Sequence, residues 1–372
     1  MSNKYKGKRI AWIGPFGGEH DYSHLIVKAM EDLGIDVVSI DYRSERNKLP
    51  LLAPYLEVDA VIINRGEWID PELIRSFKVP TLLWYGEYIY GNDKDALTRR
   101  AEIEFNGSAF DYVIWEGGYE PKAFQTLRNW SCSNVDWVYP ARIKPEVYRK
   151  LDVEKIYDVS FLGSITPRRK QMLDRIAKKF DLKVFTEFDL EKQVMIFNQT
   201  KVNLHISFAD YPIHSAVNMR GFDVIGCGSF LLHEGLEEEL MFKGGVHLDY
   251  FKINDISDLE NKIAYYLDKE EERDRIAENG CKYLYENYSV EKTVLELLDK
   301  IDFSENEGKK SREEYGICYD KFGNETENPH RCENSCKIIT RKDYPHSHHM
   351  YGARLSELGL YESAVESYKK AL

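Results

Sequence analysis

The chain has 372 residues with a formal net charge of −12, 43% hydrophobic and 31% charged residues, which is a soluble globular composition too long for one ordinary core. The acidic balance argues against broad electrostatic attraction to nucleic acid or anionic lipid, and no apolar run reaches the length of a membrane span. The opening MSNKYKGKRIAWIG runs from a basic lead straight into a strand, so a cytoplasmic location is expected.

RIAWIG (residues 9 to 14) reads as a buried strand, followed by the turn PFGGEHDYS and a helix from about Ser23 to Leu33, with Leu25, Ile26, Ala29, Met30 and Leu33 at helical spacing. IDVVSIDY is the next strand, so the opening predicts a parallel sheet. The turn holds Gly14, Gly17 and Gly18 without the G-x-G-x-x-G spacing of a dinucleotide site; Gly17 and Gly18 either let the backbone approach a ligand or only make a tight turn. Strands follow at VDAVIINRG, VPTLLWYGEY and FDYVIWEGG, each ending in polar residues, among them Arg65, Glu67, Glu87 and Glu116. Carboxyl ends of parallel strands are where such sheets bind ligands. DWVYPARIKPEVY, with Pro140 and Pro145, reads as a last strand and a linker, giving a first domain of residues 1 to 145.

The second half opens with a strand from Tyr157 to Leu162, a turn at Gly163 and Ser164, and a helix whose first turn carries Pro167, Arg168, Arg169 and Lys170. Three cations there oppose the helix dipole; an anionic ligand would relieve the conflict, and a solvated basic turn is the alternative. After LKVFTE and a helix near Leu190 to Asn198 comes KVNLHISFADYPIHSAVNMRGFDVIGCGSFLLHE, residues 201 to 234, which reads as strand, polar loop, short helix with Asn218, Arg220 and Asp223, glycine stop and strand. VHLDYF is the last strand, and helices are expected from Ile256 to Leu267, Glu270 to Tyr285 and Val290 to Ile301, so the second domain is set at 146 to 302. Residues 303 to 345 read as a polar linker. Its Cys318, Cys332 and Cys336, with His349 beyond, offer weak zinc-ligand spacing or simply free thiols. YGARLSELGLYESAVESYKKAL resembles most of one tetratricopeptide unit, so residues 346 to 372 are expected to form a small helical tail that either packs on the chain or continues beyond Leu372, and that could recruit a protein partner.

F-L-G-S before an arginine-rich helix start, and N-M-R-G-F-D-x-x-G-C-G-S-F-L-L some fifty residues later, resemble the C-terminal half of GT-B glycosyltransferases, and most of all the CgeB-like spore-maturation group; the likeness covers about 155 to 300. It implies an α/β GT-B fold of two Rossmann-like domains across a cleft, with a nucleoside diphosphate sugar, a UDP-sugar first, held by the second domain and no cofactor or catalytic metal. It implies that Asp223 holds the ribose hydroxyls, a geometry a carboxylate suits. Asn218 and Arg220 would lie at the phosphates or sugar, and Arg168 and Arg169 at the diphosphate beside Gly163 and Ser164. The family often has a second Glu eight positions before Asp223; here that position is Ser215, with Asp210 and His214 as nearby polar alternatives. Arg220 and Asp223, three apart, could instead be a surface ion pair. His20, Asp21 and Glu87 are the candidate bases on the acceptor side. The acceptor is left open as protein, glycan, small molecule or modified DNA. The rival functions are a non-catalytic interaction protein on the same fold and a sugar-nucleotide epimerase or hydrolase.

Overall fold

A computed structural model describes residues 4–17, 21–44, 49–87, 89, 94–117, 120–139, 144–186, 189–207, 217–236 and 241–303, with isolated positions at 318–319, 325–326, 365 and 369. In the first domain the strands are β1 (Arg9–Gly14), β2 (Asp36–Asp41), β3 (Ala60–Asn64), β4 (Thr81–Tyr85), β5 (Tyr112–Glu116) and β6 (Val135–Val138). They form one parallel sheet in the order β2-β1-β3-β4-β5-β6. AVIIN, TLLWY and YVIWE are buried at every position, because helices cover both faces and leave no polar side. Those helices are α1 (Tyr22–Asp32), α2 (Leu49–Leu52), α3 (Pro71–Ser76), α4 (Lys94–Asn106) and α5 (Pro121–Asn129). The strand order reverses between β1 and β3, and such switch points, at the carboxyl edge, are where open parallel sheets bind ligands.

The second domain repeats the plan with β7 (Tyr157–Leu162), β8 (Leu182–Phe185), β9 (Thr200–His205), β10 (Leu231–Glu234) and β11 (Asp249–Phe251), parallel in the order β11-β10-β9-β7-β8. Its helices are α6 (Pro167–Ile176), α7 (Leu190–Gln199), α8 (Met219–Gly226), α9 (Ile256–Asp268) and α10 (Glu270–Asn287). The reversal falls between β7 and β9. Short polar caps set where helices start: Thr166 accepts from Arg169 N, Asp189 from Lys192 N, and Asp255 from Asp258 N. The close approach of α10 to the 244–248 turn requires Gly280, where an added Cβ would lie 2.0 Å from the His247 carbonyl oxygen.

One sequence expectation needs correcting. The last helix, α11 (Val290–Asp299), does not close the second domain: Val290, Val294, Leu297, Leu298 and Ile301 pack with Ile10, Trp12, Ile26, Ala29 and Met30 in the core of the first sheet. The chain thus crosses back, and the return is fixed by Tyr5 Oη donating to Asp299 (2.5 Å), Lys300 pairing with Asp136 (2.8 Å), and buried Lys144 pairing with Asp32 (2.7 Å) and Glu291 (3.2 Å). Helical periodicity shows that a helix buries one face, not which sheet receives it. Within the segment read as a linker, β12 (Cys318–Tyr319) pairs antiparallel with β13 (Glu325–Thr326). Cys332, Cys336 and His349, and all of the tail except positions 365 and 369, lie outside the described residues.

Candidate functional site: two strand-end edges

The second-domain edge is organised by α8. Its first turn sits so tightly over buried Val217 that a Cβ at Gly221 would be 2.1 Å from Val217 Cγ1. Asn218 caps the helix with Oδ1 accepting from Gly221 N (3.1 Å), which leaves its Nδ2 facing His205 Nε2 at 2.5 Å. His205, at the end of β9, stacks on His233 of β10 with ring centroids 4.1 Å apart. Asp223 is 2% exposed. Its Oδ2 accepts from Arg220 Nη1 (3.1 Å), while its buried Oδ1 has no hydrogen-bond partner among the described residues. Arg220 Nη1 also donates to Gln193 Oε1, and its guanidinium lies over the Phe197 ring at 5.7 Å. The Arg220–Asp223 pair therefore exists, but it is anchored in the interior rather than lying loose on the surface.

Arg168 and Arg169 lie beside the Gly163–Ser164 turn, and their guanidiniums are engaged by the protein itself. Both point their guanidiniums at backbone carbonyls or a carboxylate at the strand ends. Arg169 is buried, donating from Nε and Nη2 to the Ile206 carbonyl (3.0 and 2.7 Å) and from Nη1 to the Ser164 carbonyl (2.9 Å), with Phe161 beneath it. Burial, and then the neighbouring charge of Arg168, lowers this guanidinium to about 10. Arg168 grips fully buried Glu234 with both terminal nitrogens, and donates to the Ser207 carbonyl (3.1 Å) and to Asn254 Oδ1 through Nε (3.0 Å) and Nη2 (2.7 Å). Glu234 also accepts the backbone N–H of Ser207 (2.9 Å) and of Asn254 (3.1 Å). One carboxylate thus joins the ends of β9, β10 and β11 to the start of α6. The sequence reading passed over Glu234, although an ionisable residue closing the apolar run FLLHE was the available signal. Asp210, His214 and Ser215 lie outside the described residues, as do Gly18 and His20 in the first domain.

On the first-domain edge, Asp21 is the N-cap of α1: Oδ1 accepts from His24 N (2.9 Å) and meets His24 Nδ1 (2.9 Å), and Oδ2 holds Gly17 N. Its carboxylate is engaged in shaping the glycine turn, which competes with the base role expected for it. Glu87 has Oε1 on Arg65 Nη2 (3.0 Å) and Oε2 near Arg99 Nη2 (3.4 Å), so both of its oxygens face guanidiniums. These pairs extend into a row. Arg43, just after β2, holds Glu67 through Nη2 (2.6 Å) and Nε (3.1 Å), and Arg65 Nε is 3.4 Å from the same carboxylate. Burial opposes ionisation of Glu67, but hydrogen bonding from Arg43 and the charges of Arg65 and Arg43 outweigh it and hold the carboxyl below its ordinary value. Further along the edge, Tyr22 Oη donates to Glu116 Oε1 (2.7 Å). Among the described residues no cluster of His, Cys, Asp and Glu could hold a metal ion, and no helix is long and apolar enough to cross a membrane.

Residues 168–299 match a family model described as glycosyl transferase-like. No curated protein matches the chain. Among solved structures, HepE of Anabaena in complex with UDP and glucose is similar at 12% identity, covering 79% of this chain and 100% of that one with a TM-score of 0.53. Sucrose-phosphate synthase from Thermosynechococcus elongatus is similar at 12% identity over 78% of this chain and 98% of its own (TM-score 0.53). A glycosyltransferase from Rickettsia africae is similar at 10% identity over 82% and 100% (TM-score 0.52). At such identities the likeness is one of fold. The chain therefore has the GT-B fold, two parallel-sheet Rossmann-like domains, with a glycosyl transferase-like segment over residues 168–299.

Proposed function

We propose that the chain is a glycosyltransferase of the CgeB-like kind that moves a hexosyl group from a nucleoside diphosphate sugar, a UDP-sugar first, to an acceptor held by the first domain. The observation that carries this reading is Asp223: a carboxylate at 2% exposure with one oxygen paired to Arg220 and the other unmatched. An unmet buried acceptor costs about 1–3 kcal/mol, and the two hydroxyls of a ribose are donors that would satisfy it. The amino end of α8 adds its half-positive charge beside the same carboxylate, which favours a diphosphate there. A fixed field of this type stabilises the charge that grows on a departing diphosphate without reorganising, and the reading assigns it no divalent cation. Support also comes from the family-model match over residues 168–299 and from the UDP and UDP-glucose complexes of HepE, a protein of the same fold. The acceptor-side base is drawn from Asp21, Glu87 and His20.

The test is calorimetric titration with a panel of nucleoside diphosphate sugars on the wild type, Asp223→Ala and Asp223→Asn, the last keeping the side-chain volume. The expected result is saturable binding of a UDP-sugar, weakened at least about tenfold in both variants, or about 1.4 kcal/mol. Equal affinity in a folded Asp223→Asn protein sinks the site assignment. Donor binding without release of nucleoside diphosphate in the presence of any acceptor would favour the non-catalytic rival.

A further inference from the structure

Arg220 of α8 is held in a way that decides what Asp223 leaves open. Its Nη1 carries two hydrogens and meets two acceptors, Gln193 Oε1 and Asp223 Oδ2 (3.1 Å). Gln193 is buried at 5% exposure, and Phe197, four residues on in α7, lies under the same guanidinium with its ring centre 5.7 Å away. Residues four apart share one helix face, so α7 offers an amide and a ring as a single seat for the arginine. An arginine and a carboxylate commonly meet fork to fork, two parallel N–H groups on two oxygens. Arg168 and Glu234 do so in this same domain, with Nη1 on Oε2 (3.0 Å) and Nη2 on Oε1. Arg220 and Asp223 make one contact instead, from the nitrogen that Gln193 also holds, and Asp223 Oδ1 stays unmatched among the described residues.

We infer that Gln193 is a positioning residue for the nucleotide site: by holding Arg220 Nη1 it keeps the Arg220–Asp223 pair single, so that Asp223 Oδ1 remains for a ribose hydroxyl. The inference rests on the reading above that Asp223 takes the ribose. Without an acceptor on α7, the guanidinium is free to turn until two of its nitrogens face both oxygens of Asp223. That fork is the stronger pair, and it spends the oxygen that the ribose needs. A largely buried guanidinium is driven to it, because an N–H group left unmet away from water is costly. The Phe197 ring supports the guanidinium but accepts no ordinary hydrogen bond, so the ring alone does not choose between the single and the double pair. Gln193 touches no ligand under this assignment and acts through Arg220.

The experiment reads ribose recognition apart from folding. Calorimetric titration on the full chain compares UDP with dideoxyuridine diphosphate, which lacks both ribose hydroxyls, or GDP with its dideoxy analogue if the wild type prefers guanine. The proteins are the wild type, Gln193→Met, Gln193→Asn and Gln193→Glu. Methionine keeps the length without a strong acceptor, asparagine withdraws the acceptor by one methylene, and glutamate keeps an acceptor oxygen in place. The expected result is a wild-type preference for the ribonucleotide of at least about tenfold, falling below about threefold in Gln193→Met and Gln193→Asn and restored in Gln193→Glu. A general loosening of the fold weakens both nucleotides alike and leaves that ratio unmoved. The wild-type ratio persisting in Gln193→Met or, if that variant does not fold, in Gln193→Asn overturns the inference alone and leaves the proposed function standing. A ratio lost as fully in Gln193→Glu as in Gln193→Met also overturns it. Nucleotide binding by the wild type without preference for the ribonucleotide refutes the ribose role of Asp223, and the inference with it. Binding of no nucleotide by the wild type refutes the proposed function as a whole.

Discussion

Replacing Glu234 by Gln removes one charge and keeps the shape, so the outcome measures what the carboxylate does. In the native fold its two oxygens accept two N–H groups of Arg168 and the backbone N–H groups of Ser207 and Asn254. A carboxamide can accept with one oxygen only; its NH2 must point at two donors, one on Arg168 and one on the backbone. Glu234 is fully buried and the Arg168 side chain is 10% exposed, so the arginine is left without a counter-ion where water cannot replace it. Breaking a buried pair from one side costs about 3–5 kcal/mol, against roughly 0–1 kcal/mol for an exposed pair. For a domain of this size that corresponds to a melting temperature lower by about 6–20 °C. Differential scanning calorimetry on Glu234→Gln, Arg168→Met and the double variant Glu234→Gln with Arg168→Met completes a double-mutant cycle. We expect the double variant to lose less than the sum of the single losses, because removing both partners leaves no unpaired charge. A loss under about 1 kcal/mol for Glu234→Gln, or strict additivity, would refute the claim that this carboxylate ties the strand ends together.

Two further outcomes follow from the same geometry. Gly280→Ala in α10 would be favoured by about 1 kcal/mol on helix propensity alone, yet the new Cβ meets the His247 carbonyl oxygen at 2.0 Å. Displacing backbone typically costs about 1–3 kcal/mol or more, so urea denaturation should show a net loss, and a more stable variant contradicts the packing described. Glu67, whose carboxyl is held below its ordinary value of 4.5, contributes stability that is whole above that pH and declines as pH falls through the lower folded value. The urea midpoint followed from about pH 6 to pH 3 should therefore fall less steeply for Glu67→Gln than for the wild type, and identical slopes would show that the Arg43 and Arg65 pairs do not reach Glu67 in solution.

The strands were legible because the parallel sheets bury both faces. AVIIN, TLLWY and YVIWE are continuous apolar runs, and Tyr157–Leu162 was bounded correctly by the residues that follow it. Helix starts were legible where a short polar residue precedes an apolar pattern, as at Asp189 and Asp255, and the GT-B architecture could be inferred from the order of elements and the motif around Asp223. Two things were hidden for physical reasons. The amphipathic pattern of α11 is satisfied by either sheet, and only three-dimensional closure sends it to the first. The direction of Arg168 and Arg169 depends on Glu234, Ser207 and Ile206, which lie 37 to 66 residues later in the chain, so their positive charge was readable and their inward orientation was not.

The two edges differ in what they leave for a ligand, and the difference fits a division of labour under the proposed function. On the second domain the guanidiniums of Arg168 and Arg169 are turned onto backbone carbonyls and Glu234, and Asp223 Oδ1, in α8, is among the buried polar atoms with no hydrogen-bond partner among the described residues. On the first domain the ions lie in a half-exposed row of long side chains, where contacts can shift from one pair to the next without unpairing a charge. The two edges thus differ in one physical variable: whether each arginine is buried on the backbone or paired nearer the surface with a carboxylate.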